Sequence, residues 1–240
     1  MPALKRFYQD ATVAEEEHAP GEFRLLLDGR PVKTPRGETL RLPGARLAAV
    51  VAGEWQTQES EIRLSAMPMT RLAMSLADHV VPRMSDVRAE ALAYASTDLL
   101  CYRAHSPAAL ARRQDEAWQP LLDWAREYLG APLVVTTGVL PVEQPREAVE
   151  ALERALSALG AGELFAAHAL THRLGSLVLA LAIVRGRIDA EGAFALSRLD
   201  EAFQAEQWGE DDEAAERTRR ISAETAAIAR FLLFLPNRVP

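Results

Sequence analysis

The sequence predicts an α+β protein: a small N-terminal α+β domain with hairpins, residues 1–75, followed by a larger all-helical domain, residues 76–240. Two observations carry this reading. Through residue 65 the apolar residues come in short alternating runs closed by turn residues, and from Thr70 onward they recur at helical spacing. The change of period places the seam between residues 65 and 85. At 240 residues and 49% hydrophobic content, the chain can build one large core or two ordinary ones.

Phe23–Leu27 reads as a strand running into Asp28-Gly29, a two-residue turn that closes hairpins because both residue types tolerate positive φ. Arg30–Thr34 is the expected return strand, and Thr39–Leu42 alternates as another. Over residues 45–58 the period changes, with Leu47, Val50, Val51, Trp55 and Gln58 on one helical face. Trp55 is expected in the core. Ile62 and Leu64 then resume a short strand.

In the second part, Thr70 is the expected N-cap of a helix over 71–81 that Pro82 ends, and Ser85 caps the next, towards Tyr94. Ser106-Pro107 starts a helix carrying Leu110, Gln114, Trp118, Leu121 and Leu122 to a stop at Gly130, with a kink or break expected near Gln119 because of Pro120. Residues 133–137 read as extended. Residues 145–159 are amphipathic, and residues 163–185 are apolar almost all round, as in the buried helix of a bundle. Asp189 caps a helix to Trp208, broken by Gly209, and Asp211 or Asp212 caps the last one, through Leu235.

Charge excludes several function classes. A net charge of −7 and a pI near 5.4 argue against nucleic-acid binding. The longest apolar run, Leu177–Val184, is too short to cross a bilayer, the N-terminus lacks the apolar stretch of a signal peptide, and the single Cys101 fits a reducing compartment. These features read together as a soluble intracellular protein. Acidity is concentrated in residues 200–216: Asp200, Glu201, Glu206, Glu210, Asp211, Asp212, Glu213 and Glu216 occur with no Lys or Arg among them, interrupted by Phe203 and Trp208. An acidic edge carrying aromatics suggests a partner surface, the alternative being a charged helix end that simply faces water. Between residues 28 and 46 the balance reverses, with Arg30, Lys33, Arg36, Arg41 and Arg46 against Asp28 and Glu38.

Reactive chemistry finds little support. His168 and His172 stand four apart, as zinc-binding helices require, but the intervening Ala-Leu-Thr lacks the glutamate of a metalloprotease helix. A metal-dependent hydrolase using these histidines is the alternative function. Cys101 sits among apolar residues and reads as a small buried hydrophobe. Residues 29–34 do not have the spacing of a phosphate loop, and Glu210–Glu213 lacks the ligand pattern of a calcium loop. No cofactor is expected.

Read in order, several segments closely resemble the assembly chaperone of F-type ATP synthase that binds the alpha subunit of the catalytic head. They are Arg6-Phe7-Tyr8, Leu27 to Pro35, Glu54-Trp55 with Gln58, Met67 to Ala73, and Thr97 to Arg103. Gln114, Trp118, Pro120-Leu121-Leu122, Trp124, Gly175-Ser176-Leu177, and Leu199-Asp200-Glu201 with Gln204 and Trp208-Gly209 continue the series. The match runs from residue 5 to residue 233 and looks like a bacterial homologue, cytoplasmic where eukaryotic relatives are in the mitochondrial matrix.

The resemblance implies a non-enzymatic protein, monomeric when free, that holds the alpha subunit until the beta subunit replaces it. It implies no nucleic-acid partner and no membrane insertion. The expected contacts are Glu201, Gln204, Glu206, Trp208 and Asp211, with Arg30 and Lys33 from the first domain. Trp208 is the expected anchor, the alternative being that it packs the last two helices together.

Overall fold

Asp28 and Gly29 both adopt positive φ (47° and 78°), so the hairpin predicted at this dipeptide forms around them. The computed structural model describes residues 4–138, 140–209 and 211–236. Two compact units are present: residues up to Met84 together with those from Arg230 onward, and Ser85–Ala229. The fold class is α+β, a small strand-rich N-terminal region followed by a helical one.

In the first unit, β1 (Leu4–Lys5) pairs with β6 (Glu61–Ile62), while β2 (Ala11–Glu16), β3 (Ala19–Leu27), β4 (Arg30–Pro31) and β5 (Arg41–Pro43) form a four-stranded antiparallel sheet. Strand β3 is central. It pairs with β2 along one edge, and β4 and β5 share the other, Leu27 facing Arg30 and Phe23 facing Leu42. Helix α1 (Ala45–Gln56) packs on this sheet, and Leu47, Val51 and Trp55 meet Leu25, Leu27, Leu40 and Leu42 in the core. Gln58 falls beyond this helix rather than on its face, although it is buried. Leu64 is a second correction: the strand ends at Ile62, and Leu64 is exposed in a short 3-10 turn.

Two side chains explain why separate N-terminal motifs belong together. The Arg6 guanidinium donates to the carbonyls of Tyr8, Gln9 and Gln58, pinning the N-terminal segment beside α1. The Glu54 carboxylate accepts from the Met69 and Thr70 amides (2.8 and 2.7 Å) and from the Thr70 hydroxyl (2.8 Å), at the start of α2 (Pro68–Ser75). A charge supplied from another helix thus satisfies the orphan amides, so Thr70 is a buried residue inside α2 and not its cap. A five-residue π turn continues α2 to Val80. Helix α3 (Met84–Leu92) likewise begins before Ser85.

In the second unit, β7 (Tyr102–Arg103) pairs in parallel with β8 (Thr136–Thr137), the one strand within the extended stretch predicted over 133–137. Helix α4 (Ala108–Trp124) starts after Pro107, which occupies the cap position expected of Ser106. It runs through Pro120 without a break, because Pro120 lies on the exposed face, where a carbonyl deprived of its amide can be hydrated. Helix α5 (Arg146–Ser157) follows, and then α6 (Ala161–Leu174) and α7 (Leu177–Val184).

The single helix expected over 163–185 is therefore two. Gly175 takes the left-handed conformation (φ 69°), and Ser176 restarts the chain by accepting the Leu179 amide on its hydroxyl. Every residue of α7 is buried. The helix expected from Asp189 to Trp208 is also two, α8 (Ala190–Ser197) and α9 (Leu199–Trp208), interrupted at Arg198. Asp189 caps α8 through the Gly192 amide as predicted, and Asp211 caps α10 (Asp212–Phe234) through the Ala214 amide.

The turn at Asp98 ties the 97–103 motif to α7. The Asp98 carboxylate, wholly buried, accepts from the Ser176 hydroxyl (2.7 Å) and from the Leu100 and Val178 amides (3.1 and 3.0 Å), and the Leu99 amide donates to the Gly175 carbonyl. Burial pushes the Asp98 carboxyl up, and these donors pull it back. Burial, with Asp98 alongside, pushes the Cys101 thiol up to about 12, so the cysteine behaves as a core residue.

His168 and His172, the pair of the alternative reading, lie on α6 and are held in hydrogen bonds. Their Nε2 atoms lie 3.2 Å apart, the His168 Nε2 contacts Glu90 at 3.0 Å, and the Tyr94 hydroxyl meets the His172 Nδ1 at 2.9 Å. The imidazoles are spent on a hydrogen-bonded chain between α6 and the segment 90–94. Among the described residues no three His, Cys, Asp or Glu side chains are grouped to hold a metal ion.

Two outcomes are expected. Asp98→Ala strands several buried donors and should cost at least about 3 kcal/mol in urea unfolding. The second concerns pH: burial, reinforced by His172 and Arg173 and opposed by Glu90, holds the His168 imidazole below its ordinary value of 6.5. The folded state thus favours neutral His168, and its contribution is full above that value and lost as pH falls through the lowered one. His168→Gln should flatten the fall in Tm between about pH 7.5 and about pH 5.5, read by scanning fluorimetry.

Candidate functional site

Helix α9 is almost entirely uncovered. Leu199 is its one buried residue, and Glu201, Gln204, Glu206 and Trp208 are exposed. What holds it in place is a polar relay from α4. The buried Gln114 donates through Nε2 to Asp200 (2.7 Å) and accepts the Ala104 amide on Oε1 (2.7 Å). Trp118, one helical turn further along α4, donates its indole N–H to the Leu196 carbonyl (3.0 Å) and fixes the end of α8. Arg103, buried beside it, pairs with Asp115 (2.9 Å) and lies over the Trp118 ring.

Arginines then fix two of the acids while leaving them open to solvent. Arg113 binds both oxygens of Glu206 (2.8 and 2.9 Å) and lies over the Phe203 ring, and Arg198 pairs with Glu201 (2.9 Å) while donating to the Arg173 carbonyl. Exposed pairs of this kind add little stability, at most about 1 kcal/mol each, but they set the direction in which the carboxylates point. Arg113 and Arg198 were not among the residues singled out from sequence. Arg113 immediately precedes Gln114, which was.

Beside α9 is a pocket of about 320 Å³, lined by Leu99, Leu174 and Trp118 with Asp200, Glu201 and Gln204. At the far end of the helix Trp208 is 80% exposed and has no hydrogen bond or ring contact among the described residues. The alternative in which Trp208 packs the last two helices together is thereby overturned. Gly209, at φ 87°, ends the helix immediately after it.

The residues expected to bind a partner therefore fall into two groups. Glu201, Gln204, Glu206 and Trp208 share α9, and Asp211 follows, its carboxylate engaged in capping α10. Glu210, part of the acidic run, lies outside the described residues. Arg30 and Lys33 belong to the first unit, where they line a groove of about 510 Å³ with Phe7, Tyr8 and Trp55. Trp55 is core, as expected, and the Tyr8 hydroxyl donates to its carbonyl at 2.6 Å. Among the described residues no helix is long and apolar enough to cross a membrane.

Comparison with known proteins identifies the family of the whole chain. The chain is 44% identical to Atp12 from Paracoccus denitrificans, with a TM-score of 0.92 over 96% of this chain and 98% of that one. The Atu1473 protein of Agrobacterium tumefaciens is 40% identical with a TM-score of 0.89, over 96% and 85% of the two chains. The mitochondrial protein atp12 of Schizosaccharomyces pombe is 26% identical over 228 residues, 90% of this chain and 77% of the relative. The family model described as ATP12 chaperone protein matches residues 5–126, and the chain belongs to this family of ATP synthase assembly chaperones.

Proposed function

We propose that the chain binds the free alpha subunit of the ATP synthase catalytic head and covers its beta-facing surface until the beta subunit takes its place. The observation that carries this reading is Trp208. A tryptophan 80% open to water, on a helix whose base is fixed by Gln114 and Trp118, is a rigid apolar anchor presented outward. Glu201 and Glu206, aimed by their arginines, give the same helix the charge that sets register and association rate. The pocket alongside is apolar at Leu99 and Leu174 and carries Asp200 and Glu201 against the single cation Arg198, a net negative lining that suits a cationic side chain with an apolar stem.

The physical need is independent of these details. Neighbouring subunits of a ring bury obligate apolar interfaces, often above roughly 2,000 Å², which are exposed and aggregation-prone before assembly. The proposed activity is non-enzymatic: the chaperone binds as a monomer, needs no cofactor or nucleic acid, and does not insert into the membrane. Release follows from competition, since whatever binds the client more tightly displaces it by mass action. Bacterial members would act in the cytoplasm.

Two measurements test the proposal. Co-expression with alpha subunit should give a one-to-one complex on size exclusion, dissociated by added beta subunit; failure to co-elute at micromolar concentration overturns it, and a complex that beta cannot displace points instead to a permanent adaptor. Trp208→Ala should weaken alpha binding about thirtyfold, near 2 kcal/mol for an interface anchor, and Glu201→Lys should weaken it further. Both variants should keep the wild-type Tm within a degree or two, as exposed substitutions do. A Tm that falls in step with binding would make these residues structural.

A further inference from the structure

The groove of the first unit differs in composition from α9. Tyr8 and Trp55, both nearly buried, form its floor, and Leu4 and Phe7 stand at its edge 59% and 68% exposed. Exposed leucine and phenylalanine beside a concave surface of about 510 Å³ are the composition of a contact site.

Three charged residues line the groove, and one of them is already committed. Asp28 accepts the Gln9 and Asp10 amides on its carboxylate, and these bonds hold it below the ordinary carboxylate value. The two cations are not similarly neutralised. Lys33 donates to the uncharged Thr39 hydroxyl at 3.0 Å, and Arg30 has no ion pair among the described residues. The Trp55 indole N–H is buried with no acceptor among the described residues. The groove therefore carries two cations against one carboxylate, Asp28, which is already hydrogen-bonded and also acts on Arg30 through its charge, and it presents apolar surface.

We propose that this groove docks an acidic peptide segment of the client, with an aromatic or branched apolar side chain set between carboxylates that face Arg30 and Lys33. This rests on the client-binding reading above and adds a second contact, of opposite charge preference to the acidic α9. Nucleic acid fits poorly, because the chain carries −7 overall and the groove is mostly apolar. A bare phosphate fits poorly as well, because Pro31 contributes no amide beside the cations.

The test uses the full chain and a fluorescein-labelled model peptide alternating Asp with Phe and Leu, beside a counterpart with Lys in place of Asp. Overlapping fifteen-residue peptides tiling the alpha subunit form the second set. Anisotropy should show micromolar binding of the acidic model peptide and of at least one acidic alpha peptide, and none of the Lys counterpart. Affinity should fall at least tenfold in Arg30→Glu/Lys33→Glu and be unchanged in Trp208→Ala. The Tm of the double variant should stay at the wild-type value, since neither side chain is buried.

Equal binding of both model peptides, or binding that survives the charge reversal, overturns the proposal. Binding of the model peptide with no alpha peptide retained would keep the groove's chemistry but overturn the client assignment. Concentration-dependent dimers in sedimentation, lost in the double variant, would overturn it in favour of a second copy whose residues 200–216 fill the groove. Loss of co-elution with alpha subunit, by contrast, strikes the proposed function and leaves the model-peptide result standing.

Discussion

The buried carboxylate of Asp98 is the interaction on which the second unit depends. It accepts the Ser176 hydroxyl and the Leu100 and Val178 amides, so that one side chain ends a turn and starts the most hydrophobic helix in the chain. That helix, α7, has no polar face with which to orient itself, and a helix apolar on all sides could be rotated at little hydrophobic cost. The Asp98 bonds fix its start and direction. From the same segment Arg103 reaches the α4 residues Asp115 and Trp118, and α4 in turn holds α9 through Gln114. The exposed helix is thus positioned by a chain of polar contacts that begins at one ionisable group in the core.

This arrangement explains how a surface can be solvent-exposed and still preorganised. Helix α9 buries one residue of its own, too few to hold it by hydrophobic contact. Gln114 substitutes for that missing packing, since a carboxamide donates to Asp200 while accepting from Ala104, and both its ends are satisfied. The apolar area that α9 and Trp208 leave open is therefore available to a partner without first unfolding anything.

Much of the fold was legible in the sequence where chemistry is local. The Asp28-Gly29 turn, the Asp189 cap, the stop at Gly209 and the stop at Gly130, which ends the π turn Ala125–Leu129 continuing α4, follow from what those residues can do by themselves. What could not be read was supplied from a distance. Thr70 looks like a cap until Glu54 is seen to serve the same amides. The break within 163–185, by contrast, is made locally by Gly175 and by the Ser176 cap on Leu179, and Asp98 and Leu99 brace it from a distance. For the candidate site, the acidic run and Trp208 stood out by composition. The partner Arg113 and the groove around Phe7 arise from residues far apart in sequence, and no spacing announces them, whereas Arg198 stands only three residues before Glu201.

The placement of Cys101 has a practical consequence. Its thiol is enclosed beside Asp98 and Arg103 and held almost wholly protonated, so alkylating reagents and oxidants gain access only when the core around it opens. A protein that handles unassembled subunits thereby carries no reactive sulfur that could cross-link to them. The same residue makes a native clock: with one cysteine in 240 residues, the rate at which the intact chain is tagged by a maleimide counts openings of the second unit's interior, without any added probe.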